Sequence, residues 1–295
     1  MNNFILTCGS TADLSREHLE KRNIHYLPYG YVLEDKAYDD DLGLTMSYSD
    51  FYKKIKAGAM PTTNQINTAM CKELFERCLK EGNSVLHVAF SSGLSGSCSS
   101  VQVIARELNE IYTDAKVVVV DSLAASLGYG LLVDTICDLR DNGATIEEAA
   151  QFVQDNKLNV HHWFFSTDLT HFKRGGRVSA ASAFFGTMLN ICPLLNVSNE
   201  GKLIPRKKIR GKKSAIKEIV QTMVEHAQNG VDYDGKCYIS QSDCIEDAQA
   251  VRDLIESKFP KLKGKVMIGD IGVVVGSHAG PGTVALFFMG DTRVD

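Results

Sequence analysis

The stretch Ser91-Ser-Gly-Leu-Ser-Gly-Ser-Cys-Ser-Ser100 gathers hydroxyls and glycines between two apolar segments. Before it stands Val85-Leu-His-Val-Ala-Phe90, which reads as a buried strand. After it, Val101, Ile104, Ala105, Leu108 and Ile111 recur at the spacing of a helix with one buried face. A Ser/Gly loop at that junction exposes backbone N–H groups at a helix N-terminus, where the helix dipole favours an anion. The hydroxyls of Ser92, Ser95 and Ser97 add neutral donors. No Asp, Glu, Lys or Arg occurs from Ser84 to Ala105, so the lysine that a P-loop needs is missing. Gly93-Leu-Ser-Gly96 closes one residue too early for a Gly-x-Ser-x-Gly nucleophile elbow. The loop therefore suits a carboxylate better than a triphosphate, with a Ser-rich helix cap that binds nothing as the plain alternative.

Three other places carry chemistry. His278 sits in Gly276-Ser-His-Ala-Gly-Pro-Gly282, where glycines let backbone approach a ligand and a histidine can donate a hydrogen bond or act as a base. Its plain alternative is a histidine satisfying a tight turn. Thr62 and Thr63 follow Pro61 in a second hydroxyl-bearing loop, where they could equally be turn residues. Together a Thr, several Ser and a His make the uncharged donor set that a partly buried carboxylate requires. The third place is basic. Lys173-Arg-Gly-Gly-Arg177 and Pro205-Arg-Lys-Lys-Ile-Arg-Gly-Lys-Lys213 could meet a phosphate-bearing partner, or form a solvated face. Arg177 and Arg210 stand beside glycines and carry more weight than the lysines. Phe164, Phe165, Phe184, Phe185, Met188, Phe287 and Phe288 are either plain core or the lining of an apolar tunnel.

The elements that position these groups follow from periodicity. Asn3–Thr7, Val85–Phe90 and Lys116–Asp121 read as strands alternating with helices, which implies a parallel, doubly wound sheet. Ligands in such sheets sit at the carboxyl ends of the strands, where the Ser10-Thr11, Ser91–Ser97 and Ser122 loops would gather. Ile24–Leu33 reads as extended, Glu34–Asp41 as a surface loop, and Gly128-Tyr-Gly130 as a turn before a helix. The C-terminal end reads as strand (Val266–Val275), loop (Gly276–Gly282) and strand (Val284–Met289). The expected fold is two α/β domains, 1–160 with the doubly wound parallel sheet and 161–295 with a mixed sheet and helices, the ligand lying between them. A net charge of -4 argues against non-specific nucleic-acid binding. The eight cysteines show no Cys-x-x-Cys pair or zinc spacing, which fits free thiols in a reducing cytoplasm. No apolar run is long enough to span a membrane, and Met1-Asn-Asn-Phe-Ile-Leu lacks the features of a signal peptide.

The sequence resembles the DegV family of bacterial fatty-acid-binding proteins along nearly its whole length. The resemblance rests on Ser10-Thr-Ala-Asp-Leu14, Pro61-Thr-Thr-Asn-Gln65, Ser91–Ser97, Asp121-Ser122, Gly128-Tyr-Gly130, the Gly-Gly-Arg ending at Arg177, Lys208-Ile-Arg-Gly211 and His278-Ala-Gly-Pro-Gly282. It implies a long-chain fatty acid such as palmitate, stearate or oleate in an inter-domain tunnel, and no cofactor or metal. By the same likeness the carboxylate is held by Thr63, Ser95 and His278, with Gly96 and Ser97 alongside. Arg177, Arg210 and Ser92 would stand near the head group or a partner. Some members of the family are the lipid-carrying, non-catalytic subunit of a fatty acid kinase. A separate ATP-binding subunit phosphorylates the carboxylate to an acyl phosphate for phospholipid synthesis. The resemblance thus implies a cytoplasmic carrier with transient membrane contact at most. Gly9 stands where the family pattern has Asp, and Thr63-Asn-Gln-Ile-Asn67 replaces Thr-Ser-Gln-Pro-Ser.

Two other classes compete. A serine hydrolase would use Ser95, His278 and an acid such as Asp270, an order known among hydrolases, but the elbow spacing fails. A nucleotide-binding protein would need a Walker lysine or a Gly-x-Gly-x-x-Gly fingerprint, and neither is present.

Overall fold

The computed structural model of the chain describes residues 4–178 and 190–293. The chain enters through β1 (Ile5–Gly9), a 3-10 turn over Ser10–Ala12, and α1 (Arg16–Lys21), which Ser15 caps by accepting from the His18 amide. β2 (Ile24–Leu27) returns parallel to β1, and Pro28 passes the chain to β3 (Tyr29–Leu33) in a different sheet. Glu34–Asp41 is not simply a loop. Glu34 and Asp35 take left-handed φ of 52° and 60°, as a two-residue hairpin turn requires, and β4 (Lys36–Asp39) pairs antiparallel with β3. The turn contains neither Gly nor Asn, so its sequence signal is weak.

After α2 (Tyr48–Lys56) comes β5 (Thr62–Ile66), which completes a small antiparallel sheet in the order β4-β3-β5. Thr63 therefore lies on a strand rather than in a loop, opposite Tyr31. α3 (Thr68–Lys80) starts at Asn67, whose Oδ1 accepts from the amides of Ala69 (3.1 Å) and Met70 (3.3 Å). Asn67 thus caps α3 with its side chain.

β6 (Val85–Ala89), α4 (Ser97–Ile111), β7 (Val117–Asp121), α5 (Ser126–Asp141) and α6 (Ile146–Asn156) follow the alternation read from the sequence. The four parallel strands lie in the order β2-β1-β6-β7, and every residue of β6 is buried. Apolar clusters cover both faces of this sheet. Gly128 and Gly130 lie inside α5, not in a turn before it. A Cβ at Gly128 would fall 2.3 Å from His162 Nε2, and one at Gly130 2.5 Å from the Ala12 carbonyl. These glycines exist to let α5 pack closely between the first half of the chain and the second.

The rest of the chain builds β8 (Val160–Ser166), α7 (Thr170–Gly175), β9 (Ile191–Val197), β10 (Leu203–Arg210), α8 (Lys212–His226), β11 (Cys237–Gln241), α9 (Ile245–Lys258), β12 (Met267–Asp270), α10 (Val273–Ala279) and β13 (Thr283–Met289). Its mixed six-stranded sheet runs β10-β9-β8-β13-β11-β12, with β11 and β12 parallel. Pro205 and the basic run lie on the edge strand β10, where proline costs no ladder bond between partners. The expected strand Val266–Val275 stops at Asp270, and Val273-Val-Val275 begins α10. Three β-branched residues favour a strand locally, but here they form a helix, with Val273 and Val274 packed against the small sheet. His278 is consequently in the last turn of a helix, and Gly280 and Gly282, with φ of 69° and 82°, turn the chain into β13. Phe184, Phe185 and Met188 lie outside the described residues.

α5 is the joint between the halves. Its buried Asp134 accepts from Arg22 on one side (2.8 Å) and from the Tyr238 hydroxyl on the other (2.8 Å). Burial is the largest single effect and raises its carboxyl, but hydrogen bonds from His18, Lys236 and Tyr238 and the Lys236 charge together hold it well below the usual range.

Candidate functional site

A cavity of about 350 Å³ lies between the carboxyl end of the parallel sheet and one face of the six-stranded sheet. Strand alternation decides its floor. Phe164 pairs with Ala285 and His162 with Phe287, and all four line the cavity. Their neighbours Phe165 and Phe288 point the other way, into the core under α8 and α9. The sequence places Phe287 and Phe288 on a strand, but only the register says which of each pair faces the cavity. Phe90, Phe172, Leu94 and Val274 complete the apolar surface.

One wall is polar. Ser95 lines the cavity at the start of α4, and its Oγ lies 3.0 Å from Ser97 Oγ while accepting from the Ser97 amide at 3.2 Å. Ser97 is buried and does not line the cavity. Its Oγ accepts from the Ile66 amide (3.2 Å), which ties the end of β5 to the start of α4. That tie places Thr63 and Ser95 on one wall. Gly96 also lines it, with the Gln65 side chain where a Cβ would stand. The exposed Ser92 lines the rim, and its amide donates to Asp121 Oδ1 at 3.2 Å. The loop is fixed from outside. Ser91 Oγ donates to the Gly201 carbonyl (2.8 Å), and a Cβ at Gly93 would fall 2.3 Å from the Glu200 carbonyl.

Across from this loop, His278 Nε2 lies 2.8 Å from Thr63 Oγ1. The ring is fixed from behind by Gly175, where a Cβ would stand 2.6 Å from His278 Nδ1. The first glycine of the Gly-Gly-Arg stretch is thus a contact surface for the histidine, a role the sequence did not reveal. Gly176 ends α7 with a left-handed φ of 65°. Burial, then Arg177, Arg174 and His171, lowers the His278 pKa to about 4, so the imidazole is neutral at neutral pH. With Nε2 protonated it donates to Thr63, freeing the Thr63 hydroxyl proton for an anion. Arg177 is exposed, lines the cavity and donates to the Gly175 carbonyl at 2.6 Å. Arg210 ends β10, is exposed, and is not among the residues lining the cavity.

Thr63, Ser92, Ser95, Gly96, Arg177 and His278 are therefore brought to one cavity, Ser97 supports it, and Arg210 stands apart. Tyr29 and Thr11 also line it. Thr11 is legible as a strand-end hydroxyl, whereas Tyr29 gives no local signal.

The site does not assemble a hydrolytic triad. Asp270 accepts from Gln241 Nε2 (2.5 Å), and among the described residues no hydrogen bond joins any two of Ser95, His278 and Asp270. A metal reading is also available elsewhere, at His161, His226 and Asp291, whose ligand atoms cluster within 4.8 Å. The indole N–H of Trp163 donates to His161 Nδ1 (3.2 Å), so the ring proton is on Nε2, which donates to the Asp291 carbonyl (2.9 Å). That tautomer has no lone pair to give a metal, and the cluster reads as a clasp between β8, the end of α8 and the segment after β13.

The family model for DegV, described as an uncharacterised protein family, matches residues 5–291. A DegV domain-containing protein of Clostridium perfringens is 37% identical over 99% of both chains. Among solved structures, a DegV family protein from Thermus thermophilus, described for its fatty acid binding, is 27% identical with a TM-score of 0.86 over 98% of this chain and 99% of that one. DegV of Bacillus subtilis, described as a fatty acid binding protein, is 27% identical with a TM-score of 0.83 over 99% of this chain and 100% of that one.

Proposed function

The chain belongs to the DegV family, and from that premise we propose that it is a carrier of long-chain fatty acids such as palmitate, stearate or oleate. The observation that carries the reading is a largely apolar cavity whose lining includes the uncharged donors Thr63, Ser95 and His278. The acyl chain lies over Phe164, Phe172 and Phe287, and the carboxylate meets Thr63, Ser95 and the Gly96 amide, with His278 orienting Thr63 and Ser97 orienting Ser95. The chemistry fits a monoanion. Hydroxyl and amide donors compensate a carboxylate's lost hydration, and a neutral histidine adds a donor without forming a buried ion pair. Arg177 at the rim offers the positive charge that a partly exposed head group or an incoming phosphate would meet.

The finer part of the proposal is that the chain does no chemistry itself but presents the carboxylate to a separate ATP-binding kinase subunit. The support is the family resemblance and the position of Arg177 at the rim. Arg210, away from the cavity, is assigned to the partner surface instead. We further assign 1–160 and 161–295 as two domains with the ligand between them. The strands of the parallel and the small antiparallel sheets all precede residue 160, and those of the six-stranded sheet start there. We place the protein in the cytoplasm. Among the described residues no helix is long and apolar enough to cross a membrane.

The test is mass spectrometry of the purified protein, native and then after organic extraction. A stoichiometric C14–C18 acid is the expected result, and a protein that is empty and refuses added palmitate overturns the carrier reading. Transfer of phosphate from ATP to the bound acid on adding the kinase subunit checks the finer part.

A further inference from the structure

We propose, resting on the carrier reading above, that the hydroxyls of Thr11 and Tyr29 form a second polar station in the cavity, beside the carboxylate seat. It takes an oxygen carried on the first few carbons of the acyl chain, which makes 3-hydroxy acids a ligand class for this protein. Thr11 lines the cavity, is 1% exposed, and its Oγ1 has no hydrogen-bond partner. A buried hydroxyl in that state has lost its hydration without compensation, and a ligand oxygen would restore it. Tyr29 also lines the cavity and is 3% exposed. The Tyr29 hydroxyl is close enough to both the Ser97 and the Thr11 hydroxyls for them to oppose the effect of burial, which raises its pKa to about 12. The approach to Thr11 falls short of a hydrogen bond, so that proximity leaves Thr11 Oγ1 unsatisfied.

The station's position follows from the same contacts. Ser97 Oγ is 3.0 Å from Ser95 Oγ, and Tyr29 is the next hydroxyl along. An acid whose carboxylate sits on Ser95 therefore brings its first few carbons past Tyr29 and Thr11. Each hydroxyl can donate and accept, so an alcohol or a keto oxygen fits. The ring is fixed by three contacts. The Tyr29 amide donates to Ser10 Oγ (3.1 Å), Phe90 packs edge-on at 6.2 Å, and Gly9 gives way to it. A Cβ at Gly9 would fall 2.6 Å from Tyr29 Cε2. Gly9 stands where the family pattern has Asp, so this placement of Tyr29 is tied to a departure of this chain.

The experiment measures the affinities of palmitate and 3-hydroxypalmitate by calorimetry or by displacement of a fluorescent acid. The wild-type chain should bind 3-hydroxypalmitate at least as tightly as palmitate. Thr11→Val and Tyr29→Phe should each weaken the hydroxy acid about tenfold and leave palmitate unchanged. Thr11→Val removes an unpaired buried hydroxyl and keeps its shape, so it folds. Wild-type discrimination of tenfold or more against 3-hydroxypalmitate would overturn the proposal, as would variants that weaken both acids alike. Palmitate binding without these differences refutes the station alone, whereas no binding of palmitate refutes the carrier reading beneath it.

Discussion

Gly175→Ala tests whether the carboxylate seat depends on the placement of His278. Gly175 ends α7 with no left-handed φ, so alanine fits the backbone there and even favours the helix. The added methyl would stand 2.6 Å from His278 Nδ1 and 3.4 Å from its Cβ and Cγ. Reaching an ordinary contact of 3.4 Å requires about 0.8 Å of movement. If the ring moves away from Gly175 by that amount, its 2.8 Å approach to Thr63 no longer holds in place. Losing one hydrogen bond in a network that ends on a charged group costs about 1.5–3 kcal/mol, or about tenfold to a hundredfold in affinity. Calorimetry with palmitate reads the loss, and a thermal melt checks that the fold is kept. The decisive measurement is the cycle with His278→Ala. In that background nothing remains for the methyl to displace, so Gly175→Ala should have no further effect. Wild-type affinity in the single variant, or full additivity in the cycle, refutes the reasoning. Gly176→Ala is the control. It meets open space, strains φ of 65°, and should lower stability by about 1 kcal/mol without a specific effect on binding.

Chain length should act through apolar burial. From laurate to myristate to palmitate, each added pair of methylenes is worth about 1.6 kcal/mol, near fifteenfold in affinity, until the cavity is filled, and a displacement series reads it. Asp40→Asn should be stabilising at pH 8 by up to about 3 kcal/mol. Burial raises the Asp40 pKa to about 6, so ionising it costs the folded state above that pH; the gain should fade as pH drops through 6 towards 3.8, which urea unfolding at several pH values checks. Gly93→Ala should cost about 1–3 kcal/mol and weaken palmitate binding, because its Cβ meets the backbone of Glu200 and Gly201, which is read by unfolding and calorimetry together.

The sequence by itself determined the alternation of strands and helices in the first half, the strand type of β13, and the hydroxyl-rich junction between β6 and α4. These follow from local periodicity and capping, which need no distant partner. It also carried the motifs that mark the family, and with them Thr63, Ser95 and His278. Tertiary structure decided how those residues meet. Thr63 and His278 are 215 positions apart, and no local pattern encodes their 2.8 Å contact. Val273–Ala279 forms a helix although its valines favour a strand, because packing against the small sheet outweighs propensity. Phe164 lines the cavity and Phe165 the core, since strand register selects a face. The sequence puts Gly128 in a turn and Gly93 in a loop, yet these two, like Gly9 and Gly175, are close contacts with a side chain or backbone from elsewhere. Tyr29 lines the cavity with Gly9 leaving room for its ring, a fact of three-dimensional packing that composition and spacing do not contain.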